Sequence, residues 1–425
     1  MATSIVLTMT VAAITACGGG AADATASTTA GTTADTTGVA AGDTFVTTNT
    51  AAVAAVSDSP TSVPAAAPDA SAAGTGDATP TIVAGDTSPS QGQPLGVQAS
   101  PTPTIGTTAT APVVPRPAGN TGTGFYVVGS KLYDATGSEF RIRGLNRNHW
   151  DSYGSPAGLP LSGANTERVV LSFAKPTSYN WDIVSKEMLA NKIVPIPGNW
   201  TGTCKSDVAT LTAIVDTWVA QASTWTALNS KGLINIANEW GPPNSTVWRD
   251  SYITAIARMR AAGYTGTLVV DSGGCGQDAQ DIVKYGAAVL AADPEKNILF
   301  DVHVYGGFHY PATASWMQDY ATAMAQLKAT GLPMILGEFG PGKNIGPSPT
   351  MVKPEQIIAT AEANGWGWMP WSWDDNNLPN CGSDDNGFSM TLKCGIFKST
   401  ADLTAFGRTI VPILQSTAVK ASVFN

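Results

Sequence analysis

The sequence predicts an α/β protein, a (β/α)8 TIM barrel preceded by a long disordered N-terminal segment, and three observations carry that prediction. Composition breaks near residue 124: from Gly18 to there stand mostly Thr, Ala, Ser, Gly, Pro and Asp, with one aromatic (Phe45) and one basic residue (Arg116), whereas all 12 Trp follow. Beyond the break, short apolar strand candidates alternate with amphipathic stretches at intervals of roughly 25 to 40 residues, the length of a βα unit. No Gly-x-Gly-x-x-Gly turn follows the first strand, which argues against an open dinucleotide-binding sheet.

Residues 1–17 hold a short apolar run that ends Ile14-Thr15-Ala16-Cys17-Gly18, similar to a bacterial lipobox with Cys17 as the lipidated residue. The run is too short to span a bilayer and reads as a signal-peptide core, although the basic residues usual ahead of such a core are missing. Residues 18–123 cannot bury enough apolar surface to offset their ordering entropy, so they are expected to be a disordered linker. Residues 124–425 are the expected folded domain. A hairpin, 125–128 with 131–134, should plug the barrel bottom. Strands are expected at 140–144, 168–173, 193–197, 233–238, 267–271, 298–304, 333–338 and 367–371. Helices with one apolar face are expected at 207–228, 247–262, 316–329 and 354–364.

A formal charge of -9 argues against nucleic acid and anionic membrane surfaces, whose recognition needs clustered Lys and Arg; a neutral polymer stays compatible. Cys204, Cys275, Cys381 and Cys394 lack Cys-x-x-Cys spacing, and in an exported protein they suggest two disulfides.

Barrel chemistry sits at the C-terminal strand ends. The residues expected there are Asn146 and His149 (strand 1), Arg168 (strand 2), Asn199 and Trp200 (strand 3), and Asn238 and Glu239 (strand 4). His303 and Tyr305 end strand 6, Glu338 ends strand 7, and Trp371 and Trp373 end strand 8. Two carboxylates, from strands 4 and 7, would face each other across the mouth, the minimum equipment for glycosidic bond cleavage. Blander readings compete: each glutamate as an ion-pair partner, Arg168 as a buried salt-bridge former, His303 as a satisfied core histidine. A zinc site from His149, His303 and His309 lacks ligand spacing. No metal or other cofactor is expected, because two carboxylates suffice.

Six motifs in order resemble glycoside hydrolase family 5: Gly124 to Asp134, Gly163 to Ser172, Asn238-Glu239-Trp240, Asp301-Val-His-Val-Tyr305, Gly337-Glu338-Phe339-Gly340 and Trp371-Ser372-Trp373. The resemblance covers the chain from about Gly124 onward. It implies a retaining β-glycosidase with Glu239 as acid/base and Glu338 as nucleophile. It also implies that Asn238 bonds the sugar 2-hydroxyl, that His303 and Tyr305 brace the two glutamates, and that Trp371 is a stacking platform. Arg168, matching the family arginine, is expected to keep Glu338 ionised and leave the proton on Glu239. His149 and Trp200 complete the expected site; Trp200 falls at or next to a position where many members carry His, which alters one wall of the cleavage subsite.

In barrel order the loops of Cys204 and Cys275 flank that of Glu239, and Cys381 and Cys394 share the loop after strand 8. The expected bridges are therefore Cys204–Cys275 and Cys381–Cys394. The sequence resembles both secreted endoglucanases and bacterial β-1,4-mannanases. An endo-β-1,4-glucanase acting on plant β-glucans is the favoured expectation, with endo-β-1,4-mannanase as the alternative and a non-catalytic glycan-binding lipoprotein as a third reading. The protein is expected to be a monomer, secreted or held at the outer surface by lipid on Cys17.

Overall fold

Eight short strands lie side by side in chain order, all parallel: β1 (Gly144–His149), β2 (Thr166–Leu171), β3 (Val194–Asn199), β4 (Ile234–Asn235), β5 (Leu268–Asp271), β6 (Ile298–Val304), β7 (Met334–Phe339) and β8 (Gly367–Trp368). A parallel bridge between Arg143 and Trp368 brings β8 back to the start of β1. Asn146 N–H donates to Pro370 O (3.1 Å) and Trp373 N–H to Asn146 O (2.8 Å), which carries the closure upward. The result is the expected (β/α)8 barrel. This computed structural model describes residues 113–149, 158–171, 177–309, 318–342, 352–374, 388–392 and 395–424. The signal-like segment with Cys17, the linker through residue 112, Cys381 and Cys394 lie outside the described residues.

β2, β3, β5, β6 and β7 are buried along their whole length, as parallel strands covered on both faces must be. One face meets the helices. Val208–Ala220 starts at Asp207, whose side chain accepts from Thr210 N–H, and buries Leu211, Ile214, Val215 and Trp218. Thr246–Ala261 is capped by Ser245, Tyr320–Ala329 by Asp319, and Pro354–Asn364 ends at Gly365 with φ 75°, a left-handed turn that costs glycine little. The helix expected across 207–228 breaks at Gln221 and resumes as Ala222–Trp225.

The other face fills the barrel. At the bottom the hairpin Tyr126–Val128 with Lys131–Tyr133 supplies Phe125, Val127 and Leu132 to a cluster with Val194, Ile196, Val269, Leu299, Ile335 and Met369. Each large side chain so buried is worth about 1.5–3 kcal/mol. Phe140 and Ile142 belong to this plug, which explains a shift: the apolar run expected as strand 1 precedes the ladder, and pairing with β2 begins only at Gly144 opposite Thr166. The folded unit also begins ahead of residue 124. Arg116 sits over the Tyr126 ring, its carbon 4.2 Å from the centroid, and Thr121 N–H donates to Glu295 at 2.6 Å.

Candidate active site

Alternation along β1 and β2 sends neighbouring charges to opposite sides. Arg147 and Glu167 pair outside the barrel, while Asn146 and Arg168, opposite each other in register, point inward. Arg168 is fully buried, and its guanidinium organises the mouth. It donates to Glu338 Oε1 at 2.6 Å, Asn146 Oδ1 at 3.1 Å and Asn235 Oδ1 at 3.0 Å, and also to Asn238 Oδ1. Asn146 in turn donates to the carbonyls of Gly337 (2.6 Å) and Met369 (3.0 Å), tying β1 to β7 and β8. The Tyr305 hydroxyl donates to Glu338 Oε2 at 3.0 Å, so each oxygen of that carboxylate has a donor.

Glu239 stands just past β4 with φ 52°, and Asp271, the last residue of β5, accepts its backbone N–H at 2.8 Å. His303 Nδ1 is 2.9 Å from Glu239 Oε1 and 3.6 Å from Glu338 Oε2. One oxygen of each glutamate and this nitrogen all lie within 4.8 Å of one another. The expected pair thus meets across the mouth. Asn238 donates to Thr203 Oγ1 at 2.7 Å while its carbonyl oxygen faces Arg168, so its amide is fixed at both ends.

Burial dominates the charges here. Desolvation pushes Glu338 up from the ordinary carboxylate value, against the pull of His303 and Arg168 and with the push of Glu239. Arg168 pulls towards the ionised form, as expected, and burial, which the sequence reading did not count, outweighs it in the net shift. Asp271 is likewise pushed up to about 7 by burial, opposed by Arg168 and His303. Burial works against a charged His303, yet Glu338, Asp301 and Glu239 lift it well above its usual value.

Glu239–His303–Glu338 and Asp271–Asp301–His303 each gather atoms of the kind that hold a cation. A fixed cation already serves them: Arg168 bonds Glu338 and lies 3.5 Å from Asp271.

Trp200, held by an Asn199 side chain that accepts from Thr201 N–H at 2.9 Å, stacks on Trp371 with ring centroids 5.6 Å apart and planes 19° apart. Both are partly exposed, an aromatic wall beside the carboxylates. Trp373 is fully buried against Phe397 and serves the core. His149 closes β1; its side chain is outside the described residues. Cys204 and Cys275 are joined, the pairing expected from loop order. Reasoning from sequence missed Asn235 and Asp271 as members of the network. Asp271 was visible as the terminal residue of β5, two positions after the inward Val269, and stands in the endoglucanase-like stretch Val270–Cys275, but that resemblance assigns it no role.

Two glutamates with an oxygen of each within 4.8 Å, beside an arginine and at the C-terminal edge of a closed parallel barrel, define a glycoside hydrolase. Residues 190–377 match the family model Cellulase (glycosyl hydrolase family 5). The chain is 34% identical over 269 residues, 60% of its length and 82% of the relative's, to a mannan endo-1,4-beta-mannosidase of Salipaludibacillus agaradhaerens. It is 33% identical over 267 residues to a second mannan endo-1,4-beta-mannosidase, of Streptomyces lividans, covering 60% of this chain and 67% of that one. The mannohexaose complex of a Thermomonospora fusca β-mannanase superposes with a TM-score of 0.60 at 29% identity, covering 71% of this chain and all of that one. The chain belongs to glycosyl hydrolase family 5.

Proposed function

We propose that the protein is an endo-β-1,4-mannanase that retains anomeric configuration by double displacement. The observation that supports retention is the separation of at most 4.8 Å between an oxygen of Glu239 and one of Glu338, which leaves no room for the interposed water of an inverting site. Glu338, with a donor on each oxygen, acts as the nucleophile; Glu239 protonates the leaving oxygen and then activates water. Once Glu338 is esterified its charge is gone, and Glu239 no longer faces a second carboxylate when it acts as base. Asn238 is offered to the sugar 2-hydroxyl. Trp200 and Trp371 carry the pyranose face by stacking, and His149 lies at the same rim.

The substrate follows from the relatives. Those named above are mannan-cleaving, which supports mannan over the β-glucan expected from sequence. Glucose and mannose differ at carbon 2, so the choice rests on a few contacts worth about 1–3 kcal/mol each. Initial rates on galactomannan, carboxymethylcellulose and mixed-linkage β-glucan test it: a galactomannan rate at least about tenfold above the others is expected. A preference for the glucans would restore the endoglucanase reading with the mechanism intact.

Residues 1–17 are read as an export signal with lipidation at Cys17, and the segment from 18 to about 112 as a linker to a monomeric catalytic unit. Deleting residues 18–110 should leave kcat on soluble galactomannan within about twofold of the full chain; a larger loss would mean that the segment takes part in catalysis.

A further inference from the structure

From the geometry around Glu239 we infer that the Cys204–Cys275 cystine is a positioning element for the acid/base, presenting a protonless sulfur to the oxygen that carries the catalytic proton. This rests on the acid/base reading of Glu239.

Three loops meet at the glutamate. The bridge joins the loop after β3 to the loop after β5, and the loop of Glu239 passes between them. Gly241 N–H donates to Lys205 O at 2.8 Å, and Gly274 N–H donates to Gly241 O at 2.8 Å. Cys204, Glu239 and Cys275 all hold left-handed backbone, with φ of 53°, 52° and 57°. L residues other than Gly and Asn avoid that region, so neighbouring constraints must keep all three there. Gly276, next to the bridge, fits only because it lacks a side chain: a Cβ would lie 2.7 Å from His303 Nδ1 and 3.1 Å from Glu239 Cγ.

The contact itself is specific. Cys204 Sγ lies 3.8 Å from Glu239 Oε2. A bridged sulfur has no hydrogen, so it cannot donate. The other oxygen, Oε1, is the one against His303 Nδ1. With His303 donating to Oε1, the carboxyl proton belongs on Oε2, beside the sulfur. The charged groups that face this carboxyl are His303 from β6, Glu338 from β7, Asp271 from β5 beneath its backbone and, through Asn238, Arg168 from β2. None of them donates to Oε2 among the described hydrogen bonds. A thiol at Cys204 would carry a proton to donate there and would compete with the carboxyl's own hydrogen for Oε2, which the bridged sulfur cannot do.

The test uses the full chain with Cys204→Ala/Cys275→Ala, Cys204→Ser/Cys275→Ala and Glu239→Gln. Each is assayed on the polysaccharide that wild type hydrolyses fastest and on a dinitrophenyl glycoside of the matching disaccharide, whose leaving group departs without a proton. Both cystine variants should lose about tenfold in kcat on the polysaccharide. On the aryl glycoside kcat/KM should stay within about twofold. The serine variant, with a hydroxyl donor aimed at Oε2, should move the alkaline limb of the polysaccharide pH profile down by about half a unit relative to the alanine variant. Equal losses on both substrates would reduce the bridge to a structural staple, and no loss on either, or no difference between serine and alanine, would also overturn the inference. If the variants fold poorly, stepwise phosphine reduction of wild type gives the same comparison between substrates. Full polysaccharide activity in Glu239→Gln would instead remove the acid/base reading itself.

Discussion

The two ends of the barrel are built on the same eight strands and solve opposite problems. At the bottom, inward positions carry Val194, Val269, Leu299 and Ile335 and close over the hairpin's Phe125, Val127 and Leu132. One turn of the alternation higher, β5 carries Asp271 in place of an apolar residue, β6 carries Asp301 and His303, and β2 carries Arg168, all buried. Moving a carboxylate out of water costs several kcal/mol even with a partner, so the upper layers draw on stability that the lower layer and the helix-facing core supply. A charged network is tolerable there because both oxygens of Glu338 and of Asp271 meet donors and Arg168 reaches Glu338, Asn146, Asn235 and Asn238 at once.

The largest effect that would sharpen this contrast is on chemistry. Glu338→Gln should cut kcat on galactomannan by about a thousandfold or more while moving the thermal midpoint by less than about 3 °C, because the amide keeps an acceptor oxygen and Asp271 still faces Arg168. A midpoint several degrees lower would mean that Glu338 holds the fold together. Next comes Arg168→Met. Stranding Glu338 and Asp271 without their cation should destabilise by about 3–5 kcal/mol in urea unfolding and abolish measurable turnover. Leu299→Ala, at the opposite end, should cost about 2–4 kcal/mol by the same measurement with kcat unchanged once the protein is folded. A kcat loss there would break the separation between the ends.

The smallest effect concerns acid. Burial acts to raise Glu362 beneath the barrel, but Arg143, Trp368 and Arg141 hold it at about 2, below its ordinary 4.5. Its contribution is present above pH 4.5 and lost as pH falls towards 2. Asp271 works the other way: held up at about 7, it keeps a proton that the unfolded chain releases near 3.8, so its contribution declines as pH rises between those values. Glu362→Gln should lower the melting temperature by about 2 °C at pH 7. By pH 2 the gap should close; a constant gap would show that packing, and not charge, is what Glu362 contributes.

How legible was this in the sequence? Glu239, Glu338, Arg168, Asn238, His303 and Tyr305 could be read because each sits in a motif at a strand end, and the barrel brings those ends to one mouth. β1 was misplaced because its ladder residues, Asn146, Arg147, Asn148 and His149, are polar, so hydrophobicity marked the plug residues Phe140 and Ile142 instead. Asp271 and Asn235 went unseen because their task is to hold other residues, and such work leaves no spacing signature. The desolvation of Glu338 was not counted for a related reason: a sequence displays the arginine, whereas burial appears only once the strands have closed.

One residue of the mouth acts by what it lacks. Gly337 N–H donates to Asp301 Oδ1 at 2.7 Å, and a Cβ at position 337 would fall 1.9 Å from Asp301 Oδ2. It is the extra residue where the register of β7 against β6 slips between Leu336 and Glu338, and its φ is not left-handed, so the carboxylate and not the backbone angle calls for glycine. In a saturation library this position should behave as an invariant whose cause lies on another strand. A single methyl group would evict the carboxylate beside His303, and an enzyme redesigned to accept it would have to change residues 301 and 337 in the same step.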